Sequence, residues 1–345
     1  GQYHQSLLSY QAALHYFKKQ PFSADIAIKQ ANILNNIALV QTSQGDAFAA
    51  LKTYQQIDPL YQRYGDEVDR IDVRYNLATL YISLRRFDIA ITMLKEVIEK
   101  RTEIGDNYGV AKASGDLGVS YKYSGQYLQA EQYILSALNY FQTHKHHFDA
   151  ASQLHNIAEV YYELPNTDKA LNYALLGVKE SQKIGHQRAH GGSLQVLANI
   201  HFYQGNIEQA RLNVELSNAI AKEMGYQELL NDNLGLMSLI YAADHKTVDA
   251  LKTQLSYQQA RLKLSNETLN EQIAQFESVQ LIQQVKSLQQ SKKLQQLESA
   301  KAEQQRQFIV LGVALLLVVL FLIYRRYLES KLTRELENRV KQRTE

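Results

Sequence analysis

Ten histidines in 345 residues are the first side chains to test for chemistry. His144, His146 and His147 crowd into THKHHFD, and His186 and His190 stand four apart. A metal site needs ligands that converge from fixed spacing, as two histidines one helical turn apart can supply. The first group falls where the chain changes helix and reads as an exposed turn. The second has no carboxylate beside it and abuts Gly191 and Gly192, which suit a kink at a helix start. Neither set reads as a metal centre. The sequence holds no P-loop, no GxGxxG after a strand, no HExxH and no GxSxG. No catalytic residue and no cofactor are therefore expected. The absence of cysteine excludes disulfides and thiolate metal sites, and it suits an oxidising compartment. A net charge of +2 offers no basic field for nucleic acid.

What remains is recognition, and the elements that would position it are repeats. Ala50, Ala90, Ala130, Ala170, Ala210 and Ala250 are each 40 residues apart. A small residue lies 12 before each: Ala38, Ala78, Gly118, Ala158, Ala198 and Ser238. Ile37, Leu77, Leu117, Ile157, Leu197 and Met237 come just before these, and Gln41, Tyr81, Tyr121, Tyr161, His201 and Tyr241 three after. A second series, Gly65, Gly105, Gly185 and Gly225, keeps the period. Each unit reads as two helices, A and B, joined by a turn that often holds glycine: Gly45, Gly125, Gly205. The second glycine series suits a left-handed residue after helix B. Small residues let two antiparallel helices approach closely, and larger neighbours fill the gaps between hairpins. The tyrosines at 81, 121, 161 and 241 fit that packing role rather than a ligand cage. Three prolines and many helix formers agree with an all-α chain.

A large residue, then a small one, then Tyr on helix A, with Ala on helix B, resembles the tetratricopeptide repeat. The resemblance is clear in IGDNYGVAKASGDLGVSYKYSGQYLQAEQYILSAL. The unit is longer than the family's usual length of about 34 residues, and is similar to the variety found in kinesin light chains and bacterial peptide-sensing regulators. The resemblance covers residues 1–255 and implies a superhelical solenoid whose concave wall is lined by helix A. Pro165 and Asn166 replace the turn glycine in one unit, and the last unit, with His245 and Tyr257, is atypical. Gly1, Ser6 and Tyr10 match the Gly45 and Gly125 turns at an offset of 44, so the chain is expected to begin in mid-hairpin with further helices upstream.

The groove-facing positions are then 35, 36, 39, 42, 43 and their equivalents. In tetratricopeptide proteins an Asn before the large apolar residue often holds a peptide backbone, and Asn36, Asn76 and Asn156 match that place. Asp116 and Val196 depart from it. The other groove candidates are Tyr75, Lys122, Tyr123, His155, Tyr162, Gln195, Asn199, Phe202 and Tyr203. This aromatic and amide-rich set points to a peptide or protein segment as partner.

Residues 246–307 hold no Gly and no Pro. Leu262, Leu269, Ile273, Phe276, Ile282, Val285, Leu288, Leu294 and Leu297 form an apolar stripe, broken near 280 and 292, that predicts a long helix and discontinuous coiled coil over 256–307. The alternative, that residues 255–275 cap the last repeat, stays open. FIVLGVALLLVVLFLIY, residues 308–324, has no charge and at ~1.5 Å per residue reaches roughly 26 Å, enough for a short membrane span. Four Lys or Arg precede it within about 20 residues (Lys292, Lys293, Lys301, Arg306) and seven follow (Arg325, Arg326, Lys331, Arg334, Arg339, Lys341, Arg343). That bias places the C-terminus in the cytoplasm and the repeats outside, in a periplasm or beyond. Residues 325–345 form a linker helix with Leu328, Leu332, Leu336 and Val340 on one face. RELENRVKQRTE resembles the linker after the last span of bacterial receptors, which implies a histidine kinase or diguanylate cyclase output domain beyond Glu345.

The expectation is an all-α chain: a tetratricopeptide-like solenoid, a long coiled-coil helix and one transmembrane helix. It would act as the extracytoplasmic sensor region of a homodimeric single-span receptor in the inner membrane. The alternative is a membrane-tethered scaffold that recruits partner proteins.

Overall fold

Six helix pairs recur in the computed structural model, which describes residues 2–264 and 267–344. They are α2 (Ala24–Ser43) with α3 (Ala47–Tyr64), α4 (Glu67–Ser83) with α5 (Phe87–Glu103), and α6 (Asn107–Tyr123) with α7 (Tyr127–Thr143). Then follow α8 (His147–Glu163) with α9 (Thr167–Ile184), α10 (Gln187–Tyr203) with α11 (Ile207–Met224), and α12 (Gln227–Ala243) with α13 (Thr247–Leu264). A preceding helix, α1 (Gln2–Lys18), packs on α2. The last helix is α14 (Glu267–Thr344). The chain divides into two units between Leu269 and Asn270.

In the first unit the A–B turns share one geometry. Gly45, Arg85, Gly125, Gly205 and His245 all have positive φ. The amide of the following residue bonds back to the helix A carbonyl five positions earlier, as Asp46 does to Gln41 (2.9 Å) and Arg86 to Tyr81 (2.9 Å). Glycine is thus preferred here but not required; a left-handed Arg or His costs roughly 1–2 kcal/mol. Asn166 makes the same closure onto Tyr161 (2.9 Å) where Pro165 replaces glycine. Asp46 and Asn166 then cap helix B through their side chains.

The small-residue rows sit at the A–B seams. Ala38, Ala50, Ala78, Ala90, Ala130, Ala158, Ala170, Ala198 and Ala210 are fully buried. At the Gly118 seam, a Cβ would lie 2.5 Å from Ile134 Cγ1. Tyr121 stacks on Tyr133 and Tyr161 on Tyr173, with ring centroids 5.7 and 5.5 Å apart, so these tyrosines hold the hairpins together. In the first hairpin the same register carries a hydrogen bond from Thr53 Oγ1 to Gln41 Oε1 (2.8 Å).

The B–A joints are less uniform. Gly105, Gly185 and Gly225 are left-handed, but Gly65 is extended, with φ −77°. The sequence expectation for the glycine series fails at this joint. Helix α3 ends at Tyr64, and Asp66 starts α4 with a reciprocal capping box with Asp69. This box sets the entry of α4 without the left-handed closure used at the other glycines.

Helix α13 completes the sixth hairpin, so the boundary expected at 256 moves to its end at Leu264. Tyr257 fits at a usually small site because it packs against Gly235, where a Cβ would lie 3.3 Å from its ring. In the second unit, α14 runs unbroken across residues where its apolar stripe is interrupted. Val285, Leu288, Leu294 and Leu297 are exposed, as are Leu328, Leu332 and Leu336. An 18-residue window of mean hydropathy 2.8 within this helix has no buried residue among those described, and by length and composition it suffices to cross a membrane. Gly1 and the side chains of Leu269, Phe276, Ile282 and Val340 lie outside the described residues.

Candidate functional site

The A helices stand side by side, and side chains 41 residues apart link neighbours. Asn76 Nδ2 donates to Asn35 Oδ1 (3.1 Å). The Tyr75 hydroxyl donates to Asp116 Oδ2 (2.5 Å), and the Tyr108 hydroxyl to Asp149 Oδ2 (3.3 Å). Burial raises the Asp116 carboxyl above its usual range, and the Tyr75 hydrogen bond opposes that rise. These bonds rule the groove wall with fixed polar rungs.

Farther along, the groove carries charge. Lys122 of α6 is buried and its ammonium pairs with Glu159 of α8. The same carboxylate lies 3.6 Å from His155 Nε2. Burial alone would raise Glu159, but Lys122, followed by His155, holds it below its ordinary value. Burial drives His155 down to about 4, with Glu159 opposing the shift and Lys122 adding to it. The imidazole is therefore neutral near pH 7, and its Nδ1 is buried without a hydrogen-bond partner.

A second charged group faces this one. Arg188 lies over the Tyr226 ring, 4.3 Å from its centroid. Arg85, in the α4–α5 turn, reaches Glu228 of α12 at 3.6 Å, so the second hairpin touches the sixth. Beside it, Phe87 stacks on Tyr123 with centroids 5.3 Å apart. Burial, then Glu228 and Glu159, push Asp232 up to about 6. An exposed pair such as Arg85–Glu228 contributes little energy; it marks where the superhelix turns back on itself.

Of the groove residues expected from sequence, Tyr75 and Lys122 are buried inter-repeat members rather than open contacts, because Asp116 and Glu159 claim their polar atoms. Asn76 is likewise engaged by Asn35. Phe202 packs partly on the core of Ala198, Ala210, Val214, Leu236 and Ile240. Asn36, His155, Asn156, Tyr162, Gln195 and Asn199 are half-buried, while Tyr123 and Tyr203 are exposed. Sequence reasoning does not single out Arg85, Glu159, Arg188, Tyr226, Glu228 and Asp232. Glu159 was legible as the i+4 neighbour of His155; the meeting of Arg85 with Glu228 depends on superhelical pitch, which no local pattern encodes.

The histidine groups have packing roles. His144 stacks on Tyr140 (4.1 Å), and His186 on Phe148 (3.7 Å), with His186 Nε2 2.9 Å from Ser152 Oγ. Among the described residues no three His, Asp or Glu side chains converge as metal ligands would.

A tetratricopeptide-repeat family model matches residues 29–103. No curated protein is significantly similar in sequence. Among solved structures, the apo form of RapI is 14% identical with a TM-score of 0.59, covering 74% of this chain and 90% of its own. The Rap conjugation regulator of plasmid pLS20, solved with the Phr* peptide, is 14% identical with a TM-score of 0.58, covering 76% and 70%. BtubC from P. vanneervenii is 18% identical with a TM-score of 0.53, covering 65% and 92%. At these identities the likeness establishes the fold: a tetratricopeptide-type helical solenoid.

Proposed function

We propose that this chain is the extracytoplasmic sensor region of a single-span membrane receptor. The groove takes a peptide or protein segment, and α14 carries the response across the membrane as a parallel homodimer. One observation supports this most. A single unbroken helix holds exposed apolar residues at Val285, Leu288, Leu294 and Leu297, a charge-free run over 308–324 and a basic flank after it. Such a helix satisfies every backbone group internally, as a lipid-crossing segment must. The stripe before the run offers a second copy a seam.

The groove supports the ligand class. Half-buried Asn156, Gln195 and Asn199 offer amides to a peptide backbone, and Tyr123 and Tyr203 offer aromatic faces to its side chains. The Rap regulator solved with Phr* is a fold-level precedent for peptide binding. A relay would require ligand affinity to differ between two arrangements of the dimer.

Because the chain has no cysteine, Leu288→Cys gives a clean readout of the dimer. Mild oxidation in membranes should yield a cross-linked dimer, whereas Leu128→Cys on the exposed solenoid surface should stay monomeric. Equal cross-linking at both positions would remove the helical dimer. For the groove, a displayed peptide library is selected on the full chain and counter-screened on a Gln195→Ala, Asn199→Ala, Tyr203→Ala variant. Selected peptides should lose binding to the variant; peptides that bind both equally would place recognition elsewhere. A chain that inserts in membranes yet neither dimerises nor binds peptides would favour the tethered scaffold.

A further inference from the structure

A second concavity lies on the face of α4 turned away from the groove. Helices α3, α4 and α5 enclose a cleft of about 440 Å³, within the range of small-molecule sites, which starts near 300 Å³. Two features mark this junction. Pro59 sits inside α3, where it removes the amide that would bond to Gln55 and crowds that carbonyl. Gly65 is extended, unlike the left-handed glycines after α5, α9 and α11.

The cleft also carries an unexplained polar group. Tyr54 lines it and is 2% exposed. Its hydroxyl is buried without a hydrogen-bond partner. The equivalent positions in the next four hairpins hold Leu94, Ile134, Ala174 and Val214, all buried and wholly apolar. Those residues fill the same place without leaving an unpaired hydroxyl. Burial raises the Tyr54 phenol far above its ordinary range, so it remains an O–H donor.

We propose that this cleft binds an apolar zwitterion of amino-acid size. Ile71, Leu77 and Val97 supply a hydrophobic floor. Arg70, Arg74 and Lys100 bring three positive charges to the walls. Asp58, Glu67, Glu96 and Glu99 bring four negative ones, and Arg74 already pairs with Glu96 across α4 and α5. Lys100 is held by Glu103 (2.6 Å), and Arg70 donates to the Gly65 carbonyl (3.0 Å) with no carboxylate as partner among the described residues. A plain anion would meet more like charges than opposite ones, and a plain cation would leave Arg70 without an anionic partner. A zwitterion places its ammonium among the carboxylates and its carboxylate near Arg70, where the Tyr54 hydroxyl can donate to it. The site is separate from the groove, so it stands or falls independently of peptide binding there.

Fluorine NMR tests this with the full chain in detergent micelles, against a micelle-only blank. The probes are para-fluoro-L-phenylalanine and trifluoro-L-leucine. At least one should broaden beyond the blank. Para-fluorophenethylamine and para-fluorohydrocinnamate, each lacking one charge of the first probe, should bind about tenfold more weakly than the better amino acid, or not at all. Tyr54→Phe should weaken binding by a similar factor without lowering the melting temperature of the free protein, since it removes an unpaired hydroxyl. Val97→Phe, which fills the floor, should abolish the broadening. No broadening by either amino acid, undiminished binding to Tyr54→Phe, or equal binding of a singly charged analogue would overturn the proposal. So would a lower melting temperature of free Tyr54→Phe, because the hydroxyl would then have an internal partner.

Discussion

The solenoid and α14 answer the same problem, where to put apolar surface, in opposite ways. In the solenoid, Phe141, Ile134, Leu117 and Leu154 are almost wholly buried, and the inner hairpins find their partners within the chain. Along α14, Phe308, Leu315, Leu316 and Phe321 are more than half exposed. The first region covers its own apolar surface, while the second, in the function proposed above, would cover it with lipid and a second copy. The contrast separates a folding requirement from an environmental one, and substitutions in the two regions should therefore fail differently.

The largest effect belongs to the proposed span. Leu315→Arg with Leu316→Arg adds two charges to the centre of the apolar run, at about 2.5–3.5 kcal/mol each for insertion. Membrane fractionation should move the chain out of the bilayer, with the solenoid's thermal unfolding unchanged. Next is Phe141→Ala, which leaves a core cavity and should cost about 3–5 kcal/mol of solenoid stability. Denaturant melts would show it, with membrane retention intact.

Gly118→Ala ranks third. The new methyl meets Ile134, and overpacking costs typically 1–3 kcal/mol, which should lower the melting temperature by several degrees. Leu288→Ala on α14 should change the same melt by less than about 0.5 kcal/mol. If the two substitutions shift the melt equally, the contrast between the regions fails.

The smallest effects concern pH in the groove. His155 titrates near 4 in the fold, below its free value of 6.5. Its contribution is present above pH 6.5 and is lost as pH falls through 4. His155→Gln should therefore flatten the decline of melting temperature over that window. Asp232 has the opposite sign. Its folded value of about 6 exceeds the free 3.8, so its contribution is complete below 3.8 and lost as pH rises through 6. Asp232→Asn should steepen the acid decline.

Much of this architecture was legible in the sequence, for reasons these residues make concrete. A 40-residue period in Ala50 and its equivalents reports close helix packing, which tolerates little else. The A-face groove follows from that register. The pairing of Tyr75 with Asp116 was harder to see, because two groove-facing positions on different helices compete for the same polar atoms. The extended Gly65 escaped because the spacing of a glycine does not state which φ it adopts. The Arg85–Glu228 meeting escaped because it sums small rotations over several hairpins. Tyr54 looks like one more core aromatic until its hydroxyl is found without a partner.

The most direct test of the account is the side of the membrane on which each region lies. Single cysteines at Ser43, exposed on the solenoid, and Ser330, exposed beyond the span, are treated with a membrane-impermeant maleimide on intact bacterial cells made permeable only at the outer membrane. The account predicts labelling of Ser43→Cys before lysis and of Ser330→Cys only after it. Labelling of Ser330→Cys alone before lysis, or of both equally, would contradict an extracytoplasmic sensor joined to a cytoplasmic C-terminus.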